Sequence, residues 1–161
     1  MKKLIAGIGE CIVSNDPESE LKTYALGSCV AVIFLDPKTR TAGLVHIALP
    51  DSSANKERAL EQPGYFVDTG IPHLIKEMEK AGSTLHPGYM VKLIGGAHVI
   101  KDDDQFLIGE RNVNAAKKLL WQLNLPLTSS DVGDRTIRTV TVSLKTGKLI
   151  ISSSTGQEWS I

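Results

Sequence analysis

The chain lacks the features that mark most specialised protein classes. Its 161 residues include two cysteines, Cys11 and Cys29, too few for a disulfide framework and suited to a reducing compartment. Neither charge sign is in excess: Lys+Arg and Asp+Glu are 18 each, and the pI is near 6.9. No electrostatic footprint for nucleic acid or an anionic membrane is visible, so neither partner is expected. No apolar run approaches the ~18 residues of a membrane span. The four histidines, His46, His73, His86 and His98, are scattered, and neither cysteine sits in a C-x-x-C pair. There is no H-E-x-x-H, calcium loop or Walker sequence, and Gly7-Ile8-Gly9 lacks the third glycine of a dinucleotide fingerprint. No metal and no cofactor are expected.

What is present is ordinary globular material, 42% hydrophobic and 22% charged. No linker or internal repeat divides it, so residues 1–161 read as one domain, expected in the cytoplasm. Residues 4–13 read as a first strand rather than a signal peptide, because Gly7, Gly9 and Glu10 interrupt the apolar stretch. Residues 29–35 and 41–49 form a hairpin around the Asp36-Pro37-Lys38 turn, apolar on both faces and therefore expected to be covered on both.

After a polar loop over 51–63, Ile71, Leu74, Ile75 and Met78 fall at helical spacing. Pro72 is expected in the first turn, Asp68 or Thr69 as cap, and Gly82 at the C-terminal end. Residues 89–94 suggest a strand ending at Gly95-Gly96. A second helix is expected after Asn112, with Val113, Ala116, Leu120 and Leu123 on one face, and a hairpin spans 137–144 and 149–153. The pattern is α+β: layered mixed or antiparallel sheets with helices packed outside.

A cysteine nucleophile needs a base and donors for the developing oxyanion. Cys29 follows the small residues Gly27 and Ser28, where backbone N–H groups can approach a substrate. If Asp36 pairs with Thr41, Ala31 faces His46 and Ala48 faces Cys29. Cys29 and His46 are then diagonal neighbours on one face, with Cβ atoms roughly 7–8 Å apart at most. A one-residue slip separates them. Thr23 lies six residues before Cys29, and a hydroxyl or carbonyl there could fix the imidazole tautomer, as a third catalytic group does. A free cysteine is equally at home as a buried small hydrophobe, and a lone strand histidine as a core residue, so spacing leaves both roles open. Cys11 reads as structural. His73, His86 and His98 read as surface groups, Gly95-Gly96-Ala97 as a structural turn, and Asp102-Asp103-Asp104 as a solvated loop.

The run from Thr23 to Val32, with Gly27-Ser28-Cys29 inside it, and Val45-His46-Ile47-Ala48-Leu49-Pro50 resemble the signature of the CheD family, chemoreceptor glutamine deamidases. Gly7-Ile8-Gly9-Glu10, Tyr65-x-x-Asp68, Gly95-Gly96-Ala97, Ile108-Gly109-x-Arg111-Asn112, Asp131-x-Gly133, Arg135 and Arg138 extend the resemblance in order along nearly the whole chain.

The resemblance implies a thiol hydrolase converting receptor glutamine side chains to glutamate, with Cys29, His46 and Thr23 catalytic and backbone around Gly27 and Ser28 holding the oxyanion. His46 would take the Cys29 proton, giving an ion pair poised near neutral pH. The implied fold is similar to the catalytic domain of cytotoxic necrotizing factor toxins. The implied partners are methyl-accepting chemotaxis receptors as substrate and, for many members, a CheC-type phosphatase; the rival role is a module that binds and regulates that phosphatase. Two strings depart from the family: Ala25-Leu26-Gly27 where Gly-Leu-Gly is common, and Gly133-Asp134-Arg135 where Gly-Gly-Asn-x-x-Arg is common.

Overall fold

In a computed structural model, which describes residues 2–98 and 107–161, ten strands and three α-helices follow one another. The strands are β1 (Lys2–Ile5), β2 (Cys11–Ser14), β3 (Ser19–Leu26), β4 (Val30–Asp36), β5 (Thr41–Ile47), β6 (Met90–Gly95), β7 (Ser129–Val132), β8 (Arg138–Ser143), β9 (Leu149–Ser153) and β10 (Glu158–Ser160). The helices are α1 (Lys56–Glu61) and α2 (Val67–Lys80) between β5 and β6, and α3 (Ile108–Gln122) between β6 and β7. The Asp102-Asp103-Asp104 triplet lies outside the described residues.

Every residue of β4 and β5 is buried, and the sheet order explains why. One five-stranded sheet runs β2-β5-β4-β6-β7 and the other β1-β3-β8-β9-β10; both are mixed. The first is the middle layer. Val30, Val32, Phe34, Val45 and Ile47 on one face pack against Val67, Ile71, Leu74 and Met78 of α2 and Val113, Ala116 and Leu120 of α3. Ala31, Ile33, Leu35 and Leu44 on the other meet Leu21, Val140, Val142, Leu149 and Ile151 of the second sheet. A helix layer, a buried sheet and a half-covered sheet make an α+β sandwich. In β8, at the centre of the second sheet, full and partial burial alternate, as expected of a one-sided strand.

Residues 4–13 are not one strand. Gly9 takes φ +81, and the Glu10 carboxylate accepts from the Gly7 N–H at 2.6 Å. The resulting turn ends β1 in one sheet and starts β2 in the other. Pro72 lies inside α2 rather than in its first turn, because the helix starts upstream at Val67, whose N–H is held by the Leu49 carbonyl. The Asp68 carbonyl thereby loses its helical donor. Asp68 is no cap; its carboxylate accepts from the Ser52 N–H and hydroxyl at 2.9 and 2.6 Å. Nor does α3 wait for Asn112, which is buried within it.

His86 is half-buried and bonded rather than a free surface group. Its Nε2 lies 2.6 Å from Oδ1 of buried Asp36, whose other oxygen accepts from Ser83 and Thr39. Burial pushes the Asp36 carboxyl up, but these hydrogen bonds outweigh it and hold the group well below the usual carboxylate range. The network pins the far end of the β4–β5 hairpin.

Candidate active site

The β4–β5 register is the one the hairpin turn requires: Asp36 opposes Thr41 and Ala31 opposes His46. Cys29, just before β4, packs with Ala31 on the face toward the second sheet, and His46 shares that face. From the second sheet, β3 turns its buried Thr23 inward. Thr23 Oγ1 lies 2.6 Å from His46 Nδ1 and 2.7 Å from the Ala6 carbonyl oxygen. A threonine hydroxyl has one hydrogen, and the carbonyl can only accept it. Thr23 therefore donates to Ala6 and accepts from His46 Nδ1–H, which leaves the lone pair on Nε2. That Nε2 is buried and has no hydrogen-bond partner among the described residues.

The turn between β1 and β2 holds the same histidine by its backbone. Gly9 N–H donates to the His46 carbonyl at 2.7 Å, and His46 N–H donates to the Glu10 carbonyl at 3.1 Å. Beyond His46, the Ala48 and Leu49 N–H groups both donate to the Tyr65 carbonyl. The Gly7–Glu10 turn thus holds the His46 backbone, and the Tyr65 carbonyl holds the two residues that follow Ile47.

The loop before Cys29 is tied down carbonyl by carbonyl. Ala97 N–H donates to Gly27 O and Gly96 N–H to Cys29 O, each at 2.8 Å. Asn112 Nδ2 donates to Ser28 O at 2.9 Å and to Ala48 O at 3.0 Å. Gly95 and Gly96 are required here: both have positive φ, and a Cβ on Gly95 would collide with the Cys29 carbonyl. Among the described residues nothing accepts from the Ser28 or Cys29 N–H except the Cys29 sulfur itself, whose charged form its own N–H stabilises.

Burial pushes the Cys29 thiol above its ordinary value, only partly offset by that N–H. Burial also lowers the His46 imidazole from 6.5 to about 4. Both shifts favour the uncharged forms, thiol and neutral imidazole, which runs against the ion pair expected from sequence. Cys11 is pushed further, to about 12, by burial and by Glu77. It lies on the helix side of the middle sheet, away from the His46 face. Among the described residues no cluster of three His, Cys, Asp or Glu side chains is arranged to hold a metal ion.

Sequence reasoning missed Asn112 as a site residue and Ala6 altogether. Asn112 carried a readable signal, a polar residue on the same helix face as Val113, Ala116 and Leu120. The Ala6 carbonyl carried none. Ala25, where the family commonly has glycine, takes φ +53 at the irregularity between Thr23 and Leu26. Arg138 is buried and donates to Asp131, Gly133 O and Thr136 O, while exposed Asp134 accepts from Thr136 N–H and from Arg138. The loop that departs from the family pattern is thereby braced internally.

A family model described as CheD chemotactic sensory transduction matches residues 48–153. The chain is 46% identical over its whole length to the full-length "Probable chemoreceptor glutamine deamidase CheD" of Syntrophotalea carbinolica. It is 42% identical to a similarly described protein of Syntrophus aciditrophicus, over 97% of both chains. Over 98% of its length and 96% of the relative's, it is 36% identical to the "Chemoreceptor glutamine deamidase CheD" of Thermotoga maritima.

Proposed function

The chain belongs to the CheD family, and on that premise we propose that it deamidates glutamine side chains of chemotaxis receptors, with Cys29 as nucleophile, His46 as base and acid, and Thr23 as the group that orients His46. One observation supports the assignment: Thr23 takes the Nδ1–H of His46, leaving a buried Nε2 lone pair, without a partner among the described residues, on the face that Cys29 shares.

In the mechanism, Nε2 removes the thiol proton as sulfur attacks the glutamine amide carbon. Charge forms on the carbonyl oxygen, and the N–H groups of Ser28 and Cys29 are its donors. As the tetrahedral species collapses, the C–N bond breaks and His46 returns the proton to the departing nitrogen, releasing ammonia. Water, deprotonated by the same Nε2, then cleaves the thioester to glutamate and regenerates the thiol. Because burial favours the uncharged form of both groups, charge separation belongs to the reaction itself. The product carries one more negative charge than the substrate, which would reset the charge of a receptor's adaptation region.

The test is ammonia release from a receptor cytoplasmic fragment compared with free glutamine. A protein deamidase draws on contacts remote from the amide, so the fragment should turn over and free glutamine should not. Equal turnover of both would point to a small-molecule amidase instead.

A further inference from the structure

We infer that Asn112 is a positioning residue which sets the plane of the Ser28–Cys29 peptide and so aims the Cys29 N–H at the oxyanion. The inference rests on the deamidase reading of the site. The Ser28 carbonyl and the Cys29 N–H belong to one planar trans peptide and point in opposite directions. Whatever holds the carbonyl on one side therefore aims the N–H to the other. Asn112 Nδ2 holds it, at 2.9 Å, from helix α3. The Cys29 N–H is thereby directed away from Asn112, and among the described residues no backbone group accepts from it.

The second hydrogen of the same amide nitrogen goes to Ala48 O at 3.0 Å, two residues beyond His46. One side chain thus ties the residue before the nucleophile to the strand end that carries the base. Both neighbours are carbonyl oxygens, so the donor end of the amide must be the end facing them. The side chain is fully buried, and its Oδ1 has no partner among the described residues. An unsatisfied buried acceptor is costly. An apolar residue on this buried helix face would avoid that cost, so the two donated bonds are what asparagine adds.

The variant to make is Asn112→Leu, branched at Cγ like asparagine but unable to donate, alongside wild type. Three readouts separate aiming from general damage. Deamidation of a receptor fragment needs the oxyanion donor. So does binding of a peptide whose glutamine carboxamide is replaced by an aldehyde, since Cys29 adds across the C=O: an S–C bond forms and the thiol proton ends on oxygen. Alkylation of Cys29 by iodoacetamide displaces iodide and needs no such donor.

Asn112→Leu is expected to lower kcat and aldehyde affinity about 10–100-fold, with KM within about twofold and alkylation within about threefold. Unchanged aldehyde affinity, or alkylation falling in parallel with the other two, would overturn the inference. If Asn112→Leu does not fold, Asn112→Asp is held to the same criteria. Failure of both to fold makes Asn112 a folding residue only and equally overturns it. A wild-type protein that binds the aldehyde but releases no ammonia from receptor fragments defeats the deamidase reading, while the aldehyde series still decides the role of Asn112.

Discussion

Thr23 and His46 come from different sheets and meet at 2.6 Å, the hydroxyl accepting from Nδ1–H because its own hydrogen is committed to the Ala6 carbonyl. Thr23→Val keeps the shape and removes the acceptor, leaving a buried N–H unsatisfied and the ring able to turn. We expect kcat to fall about 10–100-fold, in the range of a lost orienting contact to a catalytic group. Thr23→Ser should recover activity to within a few-fold. A Thr23→Val variant with wild-type kcat would remove Thr23 from the mechanism.

The two cysteines should separate cleanly. Cys29→Ala is expected to abolish turnover, whereas Cys11→Ala should stay within about twofold of wild type, since Cys11 only fills space on the helix side of the middle sheet. Alkylation followed by peptide mapping should mark Cys29 ahead of Cys11, whose thiol is pushed up to about 12. Equal loss of activity in the two variants would contradict the assignment.

The burial that lowers His46 from 6.5 to about 4 makes two pH predictions. The base must be neutral, so the acid limb of kcat/KM should fall with a midpoint well below 6.5. For stability, the unfolded chain binds the proton near 6.5 and the folded chain only near 4, so the unfolded state holds more protons between them. Stability attributable to His46 is therefore intact above pH 6.5 and is lost as pH falls toward 4, by up to about 3 kcal/mol. Urea unfolding of wild type and His46→Gln at pH 7 and pH 4.5 checks this. The difference between the two proteins should shift in favour of the variant at the lower pH; a constant difference would refute the shift.

Ala25 sits at φ +53, a conformation in which glycine has no steric penalty. Ala25→Gly should raise stability by about 0.5–1 kcal/mol without changing kcat, measured as a higher urea midpoint at constant m. A loss of stability would mean that the backbone of β3 relaxes there and that the family's common glycine serves another purpose.

Much of this was legible in the sequence where periodicity and turn chemistry agree. The β4–β5 hairpin is apolar on both faces and closed by Asp36-Pro37, so its register and the shared face of Cys29 and His46 follow from the residues alone. The rest depended on contacts between elements. β3 is interspersed with Glu20, Lys22 and Tyr24 and does not look like a core strand, although its alternate residues Leu21 and Thr23 face inward. The turn at Gly7–Glu10 reads as an interrupted strand until two sheets exist for it to connect. Pro72 suggested a helix start because the anchoring of Val67 by Leu49 is invisible in one dimension. The preference of Cys29 and His46 for their uncharged forms comes from burial, which spacing does not report.

The most direct test of the central claim is intact-peptide mass spectrometry of a receptor cytoplasmic fragment incubated with wild type or with Cys29→Ala. The expected result is an amide-to-acid mass change at particular glutamines with wild type and none with the variant. No change with either protein, using receptors from the same cell, would contradict the deamidase assignment and favour a role in binding a CheC-type phosphatase.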